Sequence, residues 1–252
     1  MTSFWLAIRL LTCLPTPRGA KATPGRLIGS MVWFPLVGAA IGAVLGLAEL
    51  GARKATGSHA LACGVAVLLG LLITQGRPAR GVMVLTGALF GGRDAEGTAQ
   101  LAAREWPTRF GLLAGMAGLL LRYALLMALP AEARLGALTL AGGLSRAAIV
   151  WVCWRFPYAG IDTGIGGWLV AVAGARDLLL TLPVLAAGFG LLGPLSVPAA
   201  VAGTWVLSHA FARWVTRALS GLTAHACEAT AELGELGALG GVAALAWFGQ
   251  AR

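Results

Sequence analysis

Trp33-Phe-Pro-Leu-Val-Gly-Ala-Ala-Ile-Gly-Ala-Val-Leu-Gly-Leu-Ala-Glu-Leu-Gly51 decides the fold class. It is long and apolar enough to cross a bilayer as a helix, and its Gly and Ala content suits close packing against a second helix. The rest of the chain agrees. With 58% hydrophobic and 12% charged residues and a mean hydropathy of +0.81, the 252 residues lie far from the averages of soluble domains. At about 20 residues per span plus loops, this length predicts an all-α, polytopic integral membrane bundle of about six or seven transmembrane helices. Residues 1–252 read as a single integral membrane domain, without a separate soluble one.

Working outward, Leu61–Thr74, Phe110–Leu129, Leu135–Trp154, Leu178–Leu192, Val197–Ala212 and Leu236–Phe248 are the further candidate spans. Phe4 to Leu14 has apolar residues at helical intervals and stops at Pro15 and Pro17. It is too short to span, so it lies at the interface or forms a buried leading helix. Arg18 to Arg26 reads as a basic, flexible stretch, and residues 156–167 as a Gly-rich loop with Tyr158 and Asp162. Between residues 75 and 109 the pattern breaks. The apolar run Gly81–Gly92 is about half a span, set among Arg77, Arg80, Arg93, Arg104 and Arg109. It is either a short re-entrant segment, a candidate floor for an active site, or half of a packed helical hairpin. Arg122 and Arg146 each lie inside a span, where an ionisable residue is a site candidate or half of an ion pair.

The charges give an orientation. With the N-terminus cytoplasmic, the inward loops 1–31, 76–109, 154–177 and 213–235 hold 13 Lys and Arg residues, and the outward loops hold only Arg53, Lys54, Arg134 and Arg252. The same side collects eight of the ten acidic residues, among them Asp94, Glu96, Glu105, Asp162 and Asp177. Polar groups gathered on one side fit chemistry at a membrane surface better than passage of solutes through the bilayer. The net charge of +9, carried mostly by Arg in short loops, points to orientation and anionic headgroups and away from nucleic acid. Cys13, Cys63, Cys153 and Cys227 stand singly and read as small apolar residues without a disulfide framework. Residues 1–18 do not read as a secretory signal.

Gly221-Leu-Thr-Ala-His-Ala-Cys-Glu-Ala-Thr-Ala-Glu-Leu-Gly-Glu235 holds three of the ten acidic residues. On a helix, Glu228, Glu232 and Glu235 share one face. That face is either a solvated stripe or a set of carboxylates able to hold Mg²⁺, which takes oxygen ligands and bridges protein to substrate phosphates. His225 and Cys227 lack a further ligand pair at zinc spacing, which argues against a structural zinc.

Three stretches together resemble the cobalamin synthase family, adenosylcobinamide-GDP ribazoletransferase: Phe4-Trp-Leu-Ala-Ile-Arg-Leu-Leu-Thr-Cys-Leu-Pro-Thr-Pro-Arg18, Phe34-Pro-Leu-Val-Gly-Ala-Ala-Ile-Gly42 and Gly221 to Glu235. Ser145-Arg146, Tyr158-Ala159 and Gly164-Ile-Gly166 are similar to the family's middle, so the likeness runs the length of the chain. It implies a multi-pass enzyme of the bacterial inner membrane that joins α-ribazole, or its phosphate, to adenosylcobinamide-GDP with release of GMP, using Mg²⁺. The partners implied are those two substrates and the lipid bilayer. A second copy of the chain or a partner membrane enzyme stays open. By the same resemblance Thr223, Glu232, Glu235 and Ser145 are candidate catalytic residues, Glu232 and Glu235 candidate metal ligands, and Arg146 and Gly81 candidate substrate-binding residues; Arg80, where the family has an acid, joins the substrate-binding candidates because a guanidinium can hold a diphosphate.

The chain also departs from the family. The hallmark His-Leu-Asp-Gly-Leu-Ala-Asp-Thr-x-Asp-Gly falls on Pro78 to Ala88, where Gly81 alone is kept; Pro78 stands for the His, and Arg80, Val84 and Gly87 for the acids. His225 stands for an Asp of the last motif, and a further Asp and Arg are missing from Arg104 to Gly111. A guanidinium cannot ligate a metal, so the Mg²⁺ site of that motif is removed, although Arg could hold a diphosphate directly. The alternative is therefore a catalytically inactive homologue acting as a membrane subunit or binder of cobamide precursors.

Overall fold

A computed structural model describes residues 2–17, 27, 29–92, 94–103, 106–160 and 165–250. Arg18 to Arg26, Arg93, Arg104, Glu105, Asp162 and Gly164 lie outside the described residues. Those described are overwhelmingly helical and contain no strand. The helices are α1 Thr2–Leu11, α2 Phe34–Thr56, α3 His59–Thr74, α4 Arg77–Gly91, α5 Ala95–Ala102, α6 Arg109–Ala128, α7 Arg134–Arg155, α8 Ile165–Val172, α9 Thr181–Leu192, α10 Ser196–Leu219 and α11 Ala224–Gln250. Short 3₁₀ turns lead into α2 at Met31–Trp33 and precede α9 at Ala175–Leu178.

α7 is the axis of the bundle. In its most apolar window 83% of residues are buried, and α2, α9, α10 and α11 all pack against it. The α2–α7 seam is close because Gly38 faces Gly142, and a Cβ on either glycine would run into the other's backbone carbonyl. α6 stands at the periphery and shows Leu112, Leu113, Met116 and Leu120 outward. Such exposed apolar residues are what a bilayer-facing helix presents. α1 does not span. It docks on the core by burying Leu6 and Ala7, and Phe4 meets Trp33 edge-on at 5.3 Å between ring centroids.

Four segments among those described are long and apolar enough to cross a membrane: Met31–Thr56, Arg109–Ala128, Arg134–Arg155 and Ala175–Leu192. A fifth appears if α3 and α4, which meet at 83°, form one broken span. The expectation of six or seven therefore counts high, for two physical reasons. First, α3 is short and turns sharply, because Gln75 and Gly76 both take left-handed backbone (φ 55° and 62°) and Pro78 starts the next helix. Second, α10 and α11 have the length, but their ends carry Arg213 and Arg217, and Glu228, Glu232 and Glu235. The half-span at Gly81–Gly92 is the body of α4, packed against α6 and α11.

Candidate functional site

The acidic stretch is helical, and α11 starts earlier than its apolar run suggests, at Ala224 instead of Leu236. Thr223 sets the start. Its Oγ1 accepts from the Ala226 N–H at 3.2 Å, so this candidate catalytic residue works as a helix cap. Just ahead of it, Ala159 N–H donates to the Leu222 carbonyl at 2.8 Å and Leu222 N–H to Pro157 at 2.7 Å. These bonds pin the loop after α7 to the beginning of α11.

Glu228, Glu232 and Glu235 do share a face, but that face is not solvated: Glu232 and Glu235 are 3% and 7% exposed. Each carboxylate meets an arginine from a different helix. At the rim, Arg80 of α4 donates to Glu228 at 2.7 Å, and His225 Nδ1 lies 3.1 Å from its other oxygen. Deeper, Arg122 of α6 donates to Glu232 at 2.9 Å and also pairs with Glu235. Deepest, Arg146 of α7 pairs with Glu235 and donates to the Ser145 hydroxyl at 2.7 Å, while Ser145 donates to the Gly142 carbonyl at 2.9 Å. Ionised groups taken out of water need such partners, because the cost of an unpaired buried charge is several kcal/mol or more.

Beside this stripe lies a cavity of about 190 Å³, bordered by Arg77, Pro78, Arg146, Ala224, Cys227 and Glu228. Arg77 is half-buried there and is held by the Leu10 carbonyl at 2.9 Å and Gln75 Oε1 at 2.8 Å. Arg146 brings a buried guanidinium whose Nε has no partner. Of the sequence candidates, Arg146 borders this cavity and Arg80 reaches it through Glu228; Ser145, Thr223, Glu232 and Glu235 are buried behind the wall. Gly81 serves packing. A Cβ there would sit 2.6 Å from the His225 carbonyl and 2.7 Å from Glu228 Cβ, so glycine lets α4 approach α11. Arg77, given no role from sequence, and Glu228, read from sequence only as one of three carboxylates able to hold Mg²⁺, also stand at the cavity. The cue for Glu228 was its place in the acidic trio; Arg77 gave none beyond its loop position.

Mg²⁺ asks for near-octahedral oxygens, and Glu232 and Glu235 offer a poor set. Both Glu235 oxygens and one of Glu232 already face guanidinium nitrogens. Among the described residues no group of three His, Cys, Asp or Glu side chains is placed to hold a metal ion.

The sequence pattern of the family described as cobalamin-5-phosphate synthase matches residues 3–243. The chain belongs to that family. Its relatives include the adenosylcobinamide-GDP ribazoletransferase of Chlorobaculum parvum, 34% identical over 91% of this chain and 90% of that one. The enzyme of that name from Chlorobaculum tepidum is 35% identical over 69% of this chain and 67% of its own length, and that of Roseiflexus sp. 31% over 92% and 86%. No solved structure matches the chain to a significant degree. Membership covers the whole ladder of α4, α6, α7 and α11, so a member of this synthase family carries arginine–glutamate pairs along the face that borders its cavity.

Proposed function

We propose that this chain acts in cobalamin biosynthesis as an adenosylcobinamide-GDP ribazoletransferase, working at the cytoplasmic face of the bacterial inner membrane with its N-terminus inside. The observation that carries this is the cavity where Arg146 and Arg77 meet the carboxylate of Glu228. Joining α-ribazole, or its phosphate, to adenosylcobinamide-GDP with release of GMP is phosphoryl transfer. A ribazole hydroxyl forms a bond to the cobinamide-side phosphorus, the anhydride bond to GMP breaks, and the hydroxyl proton leaves. Such a reaction needs positive charge around the diphosphate and a group that orients the attacking hydroxyl.

In this arrangement Arg77 and Arg146 border the diphosphate and Arg80 draws it in from the rim, where a guanidinium fork matches two phosphate oxygens. Glu228 accepts the hydroxyl proton or its hydrogen bond, since it is the acid of the trio that borders the cavity. Ser145 and Glu235 hold Arg146 in its rotamer and act through it. Purified protein given adenosylcobinamide-GDP and α-ribazole releases GMP on this reading, and Glu228→Gln lowers the rate at least tenfold while nucleotide binding persists. Absence of GMP release where the Chlorobaculum parvum enzyme turns over would dismiss it.

A second reading is favoured by one observation: Arg80 occupies an oxygen of Glu228, as an inhibitory ion pair would. On that reading the chain binds adenosylcobinamide-GDP without turnover, as a subunit or carrier. Equilibrium binding without GMP release identifies it.

A further inference from the structure

Five of the six carboxylate oxygens of Glu228, Glu232 and Glu235 are engaged by arginine or histidine nitrogens; Glu232 Oε1 is the sixth and has no partner. Three glutamates face three arginines, and these come from α4, α6 and α7, so the set is neutral and ties three helices to α11. An arginine keeps its charge at any pH a protein survives, so this counter-charge cannot be titrated away. A divalent ion placed on the same stripe would add two positive charges to a balanced, buried set and find one free oxygen. Exposure falls inward: the Arg80 side chain is 46% exposed, that of Arg122 7% and that of Arg146 2%.

We propose that this arginine ladder stands in for a divalent cation, holding the glutamates of α11 in place, and that the stripe binds no metal. The test reads binding and melting, so transferase turnover plays no part in it. Purified protein in detergent is titrated with Mn²⁺ and followed by electron paramagnetic resonance, alone and as Glu232→Gln, and its melting temperature is read with Mg²⁺ and with EDTA. The expected result is no bound Mn²⁺ that depends on Glu232, and the same melting temperature in both buffers. One equivalent of tightly bound Mn²⁺ that Glu232→Gln abolishes overturns the proposal.

Arg122→Gln frees an oxygen of Glu232 and one of Glu235. It is expected to lower the melting temperature by roughly 10 °C, as loss of one member of a buried pair does, and to gain Mn²⁺ binding that restores part of the loss. An Arg122→Gln protein that stays folded yet gains no Mn²⁺ also overturns it. Should that variant not fold, the wild-type titration decides.

Discussion

The two ends of the bundle both bury arginine–carboxylate pairs, yet they are built differently. At the end opposite the cavity, Arg134 of α7 donates to Glu49 of α2 at 2.8 Å and to the Leu126 carbonyl of α6 at 3.0 Å, with His59 of α3 at 3.1 Å. Arg53 completes the group at 3.4 Å from Glu49. Arg134 thus serves as the hub for four helices, and neither it nor Glu49 keeps a buried polar atom without a partner, Arg53 Nε being the one buried atom of the group that makes no hydrogen bond. At the cavity end the ladder leaves Arg122 Nε, Arg146 Nε and Glu232 Oε1 unpartnered, and its deepest arginine looks into open space. A cluster whose central pair is fully bonded is a clasp. An incomplete one beside a cavity keeps hydrogen-bonding capacity for something else.

The largest effect tests the clasp. Glu49→Gln leaves Arg134 without its charge partner in the interior and is expected to cost about 3–5 kcal/mol, seen as a drop in melting temperature on the order of 10 °C, with nucleotide affinity of the folded fraction unchanged. Replacing both, Glu49→Leu with Arg134→Leu, should recover most of that loss, because an ion pair and an apolar pair of similar volume are near equal in stability. The corresponding exchange in the ladder, Glu235→Leu with Arg146→Leu, should recover stability without recovering adenosylcobinamide-GDP affinity. If both double variants bind alike, the distinction between clasp and site fails.

Next in size is Gly81→Leu. The added side chain pushes α4 from α11, costs roughly 1–3 kcal/mol, and displaces Arg80 from Glu228, so stability and binding fall together. The smallest is Arg80→Gln. Its pair is half exposed, so stability should fall by no more than about 1 kcal/mol. Nucleotide affinity should nevertheless fall several-fold, and the fall should shrink in high salt, where steering by a rim charge is screened.

The membrane class, the helical state of nearly every apolar run, a break in the pattern from residue 75 onward, and three glutamates on one helix face were legible in the residues alone. All of these follow from local rules: span length, 3.6-residue periodicity, and the backbone limits of Gly and Pro. That Arg122 is either a site residue or half of an ion pair was legible for the same reason, since a charge inside a span is costly alone, and the structure pairs it with Glu232 and Glu235. What the sequence left undecided was which groups meet. Arg122 and Glu232 lie 110 residues apart and Arg146 and Glu235 lie 89 apart, and no local rule pairs them. Nor could periodicity tell whether the glutamate face met water or arginine, because an acidic stripe reads the same either way. The packing of α4, α6 and α7 around α11 settled that, and with it which single carboxylate of the three borders the cavity.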